Sequence, residues 1–145
     1  LRKALAFRAA ARLALGDLSD IGDPDVATAN AVLSAIAYTD ALTATSIQMV
    51  NQQDHAAAVK LLRAALGKAL PASQERRLSR LLGRKDEASY GARAGQRSDA
   101  VHLLAELEEF AVWAGGMLAA AGVKITADDA GAPPRSAPAL AKDHC

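Results

Sequence analysis

A chain of 145 residues, 51% hydrophobic and 23% charged, is long enough to bury a core without disulfide or metal staples and too apolar to remain disordered. Its formal net charge of +1 provides no global field that would select nucleic acid or a membrane surface, and aromatics at 3% leave little for the stacking platforms of base-reading RNA modules. Alanine and leucine dominate over β-branched residues, so the expected class is all-α: an antiparallel bundle of about five helices over residues 1–123 and a disordered tail over 124–145.

The first helix is expected from Arg2 to Leu15, stopped by Gly16. Arg8 and Arg12 interrupt its apolar residues before a secretory h-region can build up, so no signal peptide is expected here. Asp17, Asp20, Asp23 and Asp25 follow, without the spacing or terminal Glu of a calcium loop. Asp23-Pro24 reads instead as an N-cap followed by proline at the first helical position. The second helix is expected over Pro24 to Val50, with an inward stripe of Val26, Ala29, Leu33, Ile36, Ala37 and Ile47 that also takes in Asp40. Asn51 to Asp54 breaks the pattern and caps a third helix over 54–67, with His55, Val59, Leu62 and Leu66 on one face.

A fourth helix is expected over Ser73 to Tyr90, with Leu78, Leu81, Leu82 and Ala88 inward and Lys85 among them. Arg76, Arg80 and Arg84 form a ridge at i, i+4 spacing on another face, joined by Arg77, Arg93 and Arg97. The ridge makes this region locally basic and a candidate phosphate-binding, hence nucleic-acid-binding, face. The fifth helix is expected over Ser98 to Ala121, with a stripe of Leu103, Leu104, Leu107, Ala111, Ala114 and Leu118 flanked by Phe110, Trp113 and Met117. No run approaches the roughly 18 apolar residues of a membrane span, so no membrane partner is expected. The single cysteine, Cys145, excludes an internal disulfide and points to a reducing, cytoplasmic setting.

Chemistry-bearing residues are few. His102 with Glu106 and Glu109 lies on a polar helix face, and the other candidate ligands are scattered, so neither a metal nor a cofactor is expected. His55 opens a helix on its apolar side, where an imidazole held neutral could serve as a base near pH 7 or simply pack. Asp40 and Lys85 each interrupt an apolar stripe on different helices and are expected to neutralise one another as a structural ion pair.

Three stretches carry a family resemblance: Ala35-Ile-Ala-Tyr-Thr-Asp-Ala-Leu-Thr-Ala44, Asn51-Gln-Gln-Asp-His55 and Leu81-Leu-Gly-Arg-Lys-Asp-Glu-Ala-Ser-Tyr90. Together, over about residues 25–120, they resemble HEPN-like proteins, in particular a compact bacterial branch with Asp-His after the second helix and L-L-x-x-K-x-x-A-x-Y in the fourth. The resemblance implies an antiparallel bundle of four to five helices that forms a homodimer. It also implies one of two activities: metal-independent endoribonuclease, often a toxin paired with a nucleotidyltransferase-like antitoxin, or non-catalytic binding of RNA or protein. The catalytic motif of such proteins is Arg, four to six residues, then His, with a small polar residue after the Arg. His55 matches the histidine and Asn51 the polar residue, but Gln48, Met49 and Val50 occupy the places open to the Arg. A guanidinium there would stabilise the charge that develops on a phosphate during attack by a 2′-hydroxyl. Its absence favours a non-catalytic, dimeric binding module. The alternatives are a ribonuclease that recruits Arg84 or Arg93 from across the bundle, and a purely structural partner-binding bundle.

Overall fold

A computed structural model of the protein describes residues 1–16, 23–47, 55–90 and 97–123, with backbone alone at 47, 55, 56 and 85–90. The expected tail over 124–145 and the Asn51–Asp54 cap lie outside the described residues. Every regular element among the described residues is helical: α1 Arg2–Leu15, α2 Pro24–Ile47, α3 His55–Leu66, α4 Ala72–Tyr90 and α5 Arg97–Ala120. One 3₁₀ turn, Gly67–Ala69, joins α3 to α4, and Gly67 begins it at φ 53°, a left-handed conformation that costs glycine little. The all-α class and five-helix bundle expected from composition are therefore observed. No described helix is long and apolar enough to cross a membrane.

Capping fixes how the chain enters and leaves its first turn. Asp23 Oδ1 accepts from the backbone N–H of Asp25 at 3.0 Å and of Val26 at 3.2 Å, the N-cap expected from Asp-Pro. Gly16 closes α1 at φ 63°, and Asp23 donates its N–H to Ala14 O at 2.8 Å. From the first residue of α5, Arg97 donates to Leu15 O and Gly16 O, both at 2.7 Å, so a cation sits on the last carbonyls of α1. Ala14 meets Asp23 and Ala4 meets Ser34, which makes α1 antiparallel to α2. Leu15 meets Arg97 and Arg8 meets Glu108, which makes α1 antiparallel to α5 as well. It follows that α2 and α5 run in the same direction.

α2 is the axis of the bundle and touches all four other helices. This arrangement corrects the expected inward stripe. Val26 is 45% and Leu33 39% exposed, Ala29 is exposed, and Ile36, Ala37 and Asp40 are half-buried. The buried residues are instead Ala27, Ala31, Val32, Ser34, Ala35, Tyr38, Thr39, Leu42 and Thr43. The small side chains among them let neighbouring backbones come close, shown by Ser34 Oγ donating to Ala4 O at 2.7 Å. Thr39 and Thr43 satisfy their hydroxyls within α2, by donating to Ala35 O at 2.9 Å and to Thr39 O at 3.1 Å. No described buried side-chain polar atom lacks a partner. Polar residues can therefore face inward here at little cost, beside the buried Val32, Tyr38 and Leu42, while Val26 and Leu33 border water.

Among the described residues the other helices bury much of the faces their periodicity predicts, with Val59, Leu66 and Leu104 half-buried against the core and the side chains of His55 and Ala88 outside the described residues. α3 contributes Ala58 and Leu62, α4 contributes Leu78, Leu81 and Leu82, and α5 contributes Leu103, Leu107, Phe110, Ala111, Ala114 and Leu118.

Candidate nucleic-acid interface

Electric charge is distributed unevenly along the chain. Residues 57–84 carry Lys60, Arg63, Lys68, Arg76, Arg77, Arg80 and Arg84 against a single acid, Glu75, a local surplus of six in a chain whose total is +1. The α3–α4 hairpin turns most of these side chains outward because its opposite face is taken by Leu62, Leu78, Leu81 and Leu82. Lys60, Arg63, Lys68, Arg76 and Arg80 are exposed, and Arg77 and Arg84 are half-buried. Arg63 pairs with Glu75 across the hairpin. Of the expected ridge, Arg76, Arg80 and Arg84 do share α4, but Arg80 is tied to a neighbouring helix. Its Nη2 donates to Glu106 Oε2 of α5 at 2.9 Å. Arg77 Nε donates to the same oxygen at 3.0 Å, while its Nη1 donates to Gln74 Oε1 at 3.1 Å.

A second fork of the same design lies on the other flank of α5. Arg8 Nε donates to Glu108 Oε2 at 2.9 Å, and Arg12 donates from Nε to Oε1 at 2.6 Å and from Nη2 to Oε2 at 2.7 Å. The two carboxylates stand two residues apart, on opposite sides of the helix, so one faces α4 and the other α1. Burial alone would raise both carboxyl pKa values. Hydrogen bonds and charge from Arg80 and Arg77, and from Arg8 and Arg12, outweigh it and hold both below the ordinary range. Beside the second fork, burial raises the Tyr38 hydroxyl pKa, with Arg8 partly opposing it. Burial works against the Arg8 charge, but Glu108 more than offsets this and raises its pKa.

These shifts fix a pH dependence. Carboxyls with depressed folded-state pKa values stabilise the fold above the unfolded value, about 4.3 for Glu, and lose that contribution as pH falls through the lower folded value. Melting temperature is thus expected to be flat from neutral pH to about 5 and to drop below about 4.3. Glu108→Gln should lower the plateau and flatten the acid limb, measured by circular dichroism melts across pH. An acid limb identical in wild type and variant would contradict the assignment.

The remaining expected site residues fare as follows. His102 is exposed, and Glu106, expected beside it on the polar face, turns to Arg77 and Arg80. Among the described residues no group of three metal-ligating side chains converges. His55 begins α3 as expected, but its side chain lies outside the described residues, as do Asn51, Arg93 and the side chain of Lys85. The Asp40–Lys85 pair therefore falls outside them too. Asp40 itself is half-buried at the border of the outer face of α2. Sequence reasoning missed the fork at Glu108 and the Arg97 cap. The i, i+4 spacing of Arg8 and Arg12 was the available signal for the first. The chain matches no protein-family model, no curated protein and no solved structure.

Proposed function

We propose that this protein is a HEPN-like helical binding module, without ribonuclease chemistry of its own, that acts as a dimer and holds RNA by its phosphates. The observation that carries the binding surface is the outward-facing cation surplus of the α3–α4 hairpin. Residues 57–84 contain no aromatic side chain, which favours contact with the sugar–phosphate backbone over stacking on bases. The exposed apolar residues Val26 and Leu33 on the outer face of α2 favour a second copy as a further partner.

The test is a binding titration with fluorescein-labelled single-stranded RNA of mixed sequence over a range of salt concentrations. Binding should weaken with salt, since each phosphate neutralised contributes about 0.7 to the slope of log K against log salt for a single strand. Replacing Lys60, Arg63, Arg76 and Arg80 together by Gln should weaken binding at low salt by about 10- to 100-fold and flatten the slope by up to about 3. Wild-type protein with no affinity for RNA at low salt would sink the RNA reading and leave a structural partner-binding bundle. Sedimentation velocity tests the dimer: a monomer at micromolar concentration would refute that part.

A further inference from the structure

We propose that Glu106 is a built-in competitor for phosphate: it occupies, from α5, a two-arginine pincer on the basic hairpin that an RNA phosphate takes over on binding. This rests on the RNA-binding reading above. The geometry is specific. Arg77 Nε and Arg80 Nη2 converge on one oxygen of Glu106, at 3.0 and 2.9 Å, so the two guanidiniums are already spaced to share an oxyanion. Gln74 holds Arg77 from the other side at 3.1 Å, so the pincer keeps part of its geometry when the carboxylate leaves. The Arg80 side chain is 54% exposed, leaving it open to an incoming group, whereas Glu106 is 17% exposed and sits beneath it. The Arg80 arm, next to water, is weak and screened by salt and is the arm a phosphate takes first, whereas Arg77, 21% exposed, keeps its hold on the carboxylate until the phosphate has replaced it. A phosphate in a strand brings further charges to Arg76 and its exposed neighbours, which Glu106 cannot reach in the same way.

The consequence is that affinity is held down by the protein's own acid. The Glu108 fork provides a matched control. Glu108→Gln adds the same unit of charge and removes the same kind of double ion pair, on the flank of α5 that faces α1. With the labelled RNA described above, Glu106→Gln is expected to tighten binding about 3- to 10-fold at low salt. It should also steepen the salt slope by about 0.7 to 1.4, one or two more phosphates engaged. Glu108→Gln should change affinity less than about 2-fold. Glu106→Asp keeps the net charge but shortens the reach to both arginines, so it should tighten binding with no change in overall charge and serves if the Gln variant folds poorly by circular dichroism. If wild-type protein binds and neither Glu106 variant exceeds Glu108→Gln, the competitor role is wrong while RNA binding stands. If wild type and all variants fail to bind, the RNA-binding reading falls and the competitor with it. Binding by the Glu106 variants alone would overturn both, since the wild-type protein would then not be an RNA binder and the phosphate would never displace the carboxylate.

Discussion

Phe110→Ala is expected to destabilise the protein by about 3–5 kcal/mol, the range for removing a fully enclosed aromatic ring. Phe110 is 0% exposed, and its ring lies 5.6 Å from that of Trp113, tilted by 48°. The loss should sit at the upper end of that range because of what the core is made of. Much of the buried set is alanine, including Ala35, Ala111 and Ala114, which has no side-chain freedom with which to refill a cavity. A domain of this size holds only about 5–15 kcal/mol of net stability, so the variant should be close to unfolding at 37 °C. Val112 provides the contrast. It lies two residues on, is 71% exposed, and Val112→Ala should shift stability by no more than about 0.5 kcal/mol. Urea titrations of the two variants and wild type decide the matter. A Phe110→Ala loss under about 1 kcal/mol would show that the ring is not enclosed as described.

That contrast also shows what periodicity could and could not reveal. Phe110, Leu107 and Leu103 stood out because α5 has one buried face and one wet one, so its large apolar residues mark the inside. α2 has neighbours on several sides, and there size no longer separates inside from outside. Val26 and Leu33 fall on the side left open, while small residues such as Ala31, Ser34 and Ala35 are buried alongside Val32, Tyr38 and Leu42. A single-face stripe search rewards size and cannot find a contact made by smallness. Serine and threonine were invisible to it for the same reason, although Ser34, Thr39 and Thr43 are as enclosed as any leucine. Their burial depends on carbonyl partners, Ala4 O for Ser34 and carbonyls one turn back for the threonines, and the first of these exists only once α1 has docked.

The basic face was readable in part. Arg76, Arg80 and Arg84 at one-turn spacing announce a ridge, and charge counting extends it to Lys60 and Arg63. Glu106 was not, because its link to Arg77 and Arg80 spans 29 and 26 residues and depends on which flank of α5 meets α4. Local spacing groups Glu106 with His102 and Glu109, its helical neighbours. Tertiary packing assigns it to another helix. Only the fold converts an acid that dilutes a polar face into an acid that occupies the basic one.

RNA incubated with wild-type protein is expected to remain intact, with His55→Ala indistinguishable from wild type. Attack of a 2′-hydroxyl on the adjacent phosphate needs a proton acceptor, a proton donor and a cation for the charge that builds on the phosphoryl oxygens. An imidazole at His55 could serve the first two roles in turn. None of Gln48, Met49 and Val50, where the HEPN-type motif would place its arginine, carries a positive charge. Losing one such transition-state donor typically costs a factor of about 10²–10³, enough to bury cleavage beneath background hydrolysis by trace contaminants. Val50→Arg restores the shortest spacing of the motif, with four residues between it and His55, and should gain cleavage by a comparable factor. The gain must vanish in the Val50→Arg, His55→Ala double variant, which separates restored chemistry from tighter binding by one more cation. Efficient cutting by wild type that His55→Ala abolishes would reverse the conclusion. The cation would then have to reach the phosphate from elsewhere in the chain, with Arg84 and Arg93 the first to replace, and the protein would be a ribonuclease.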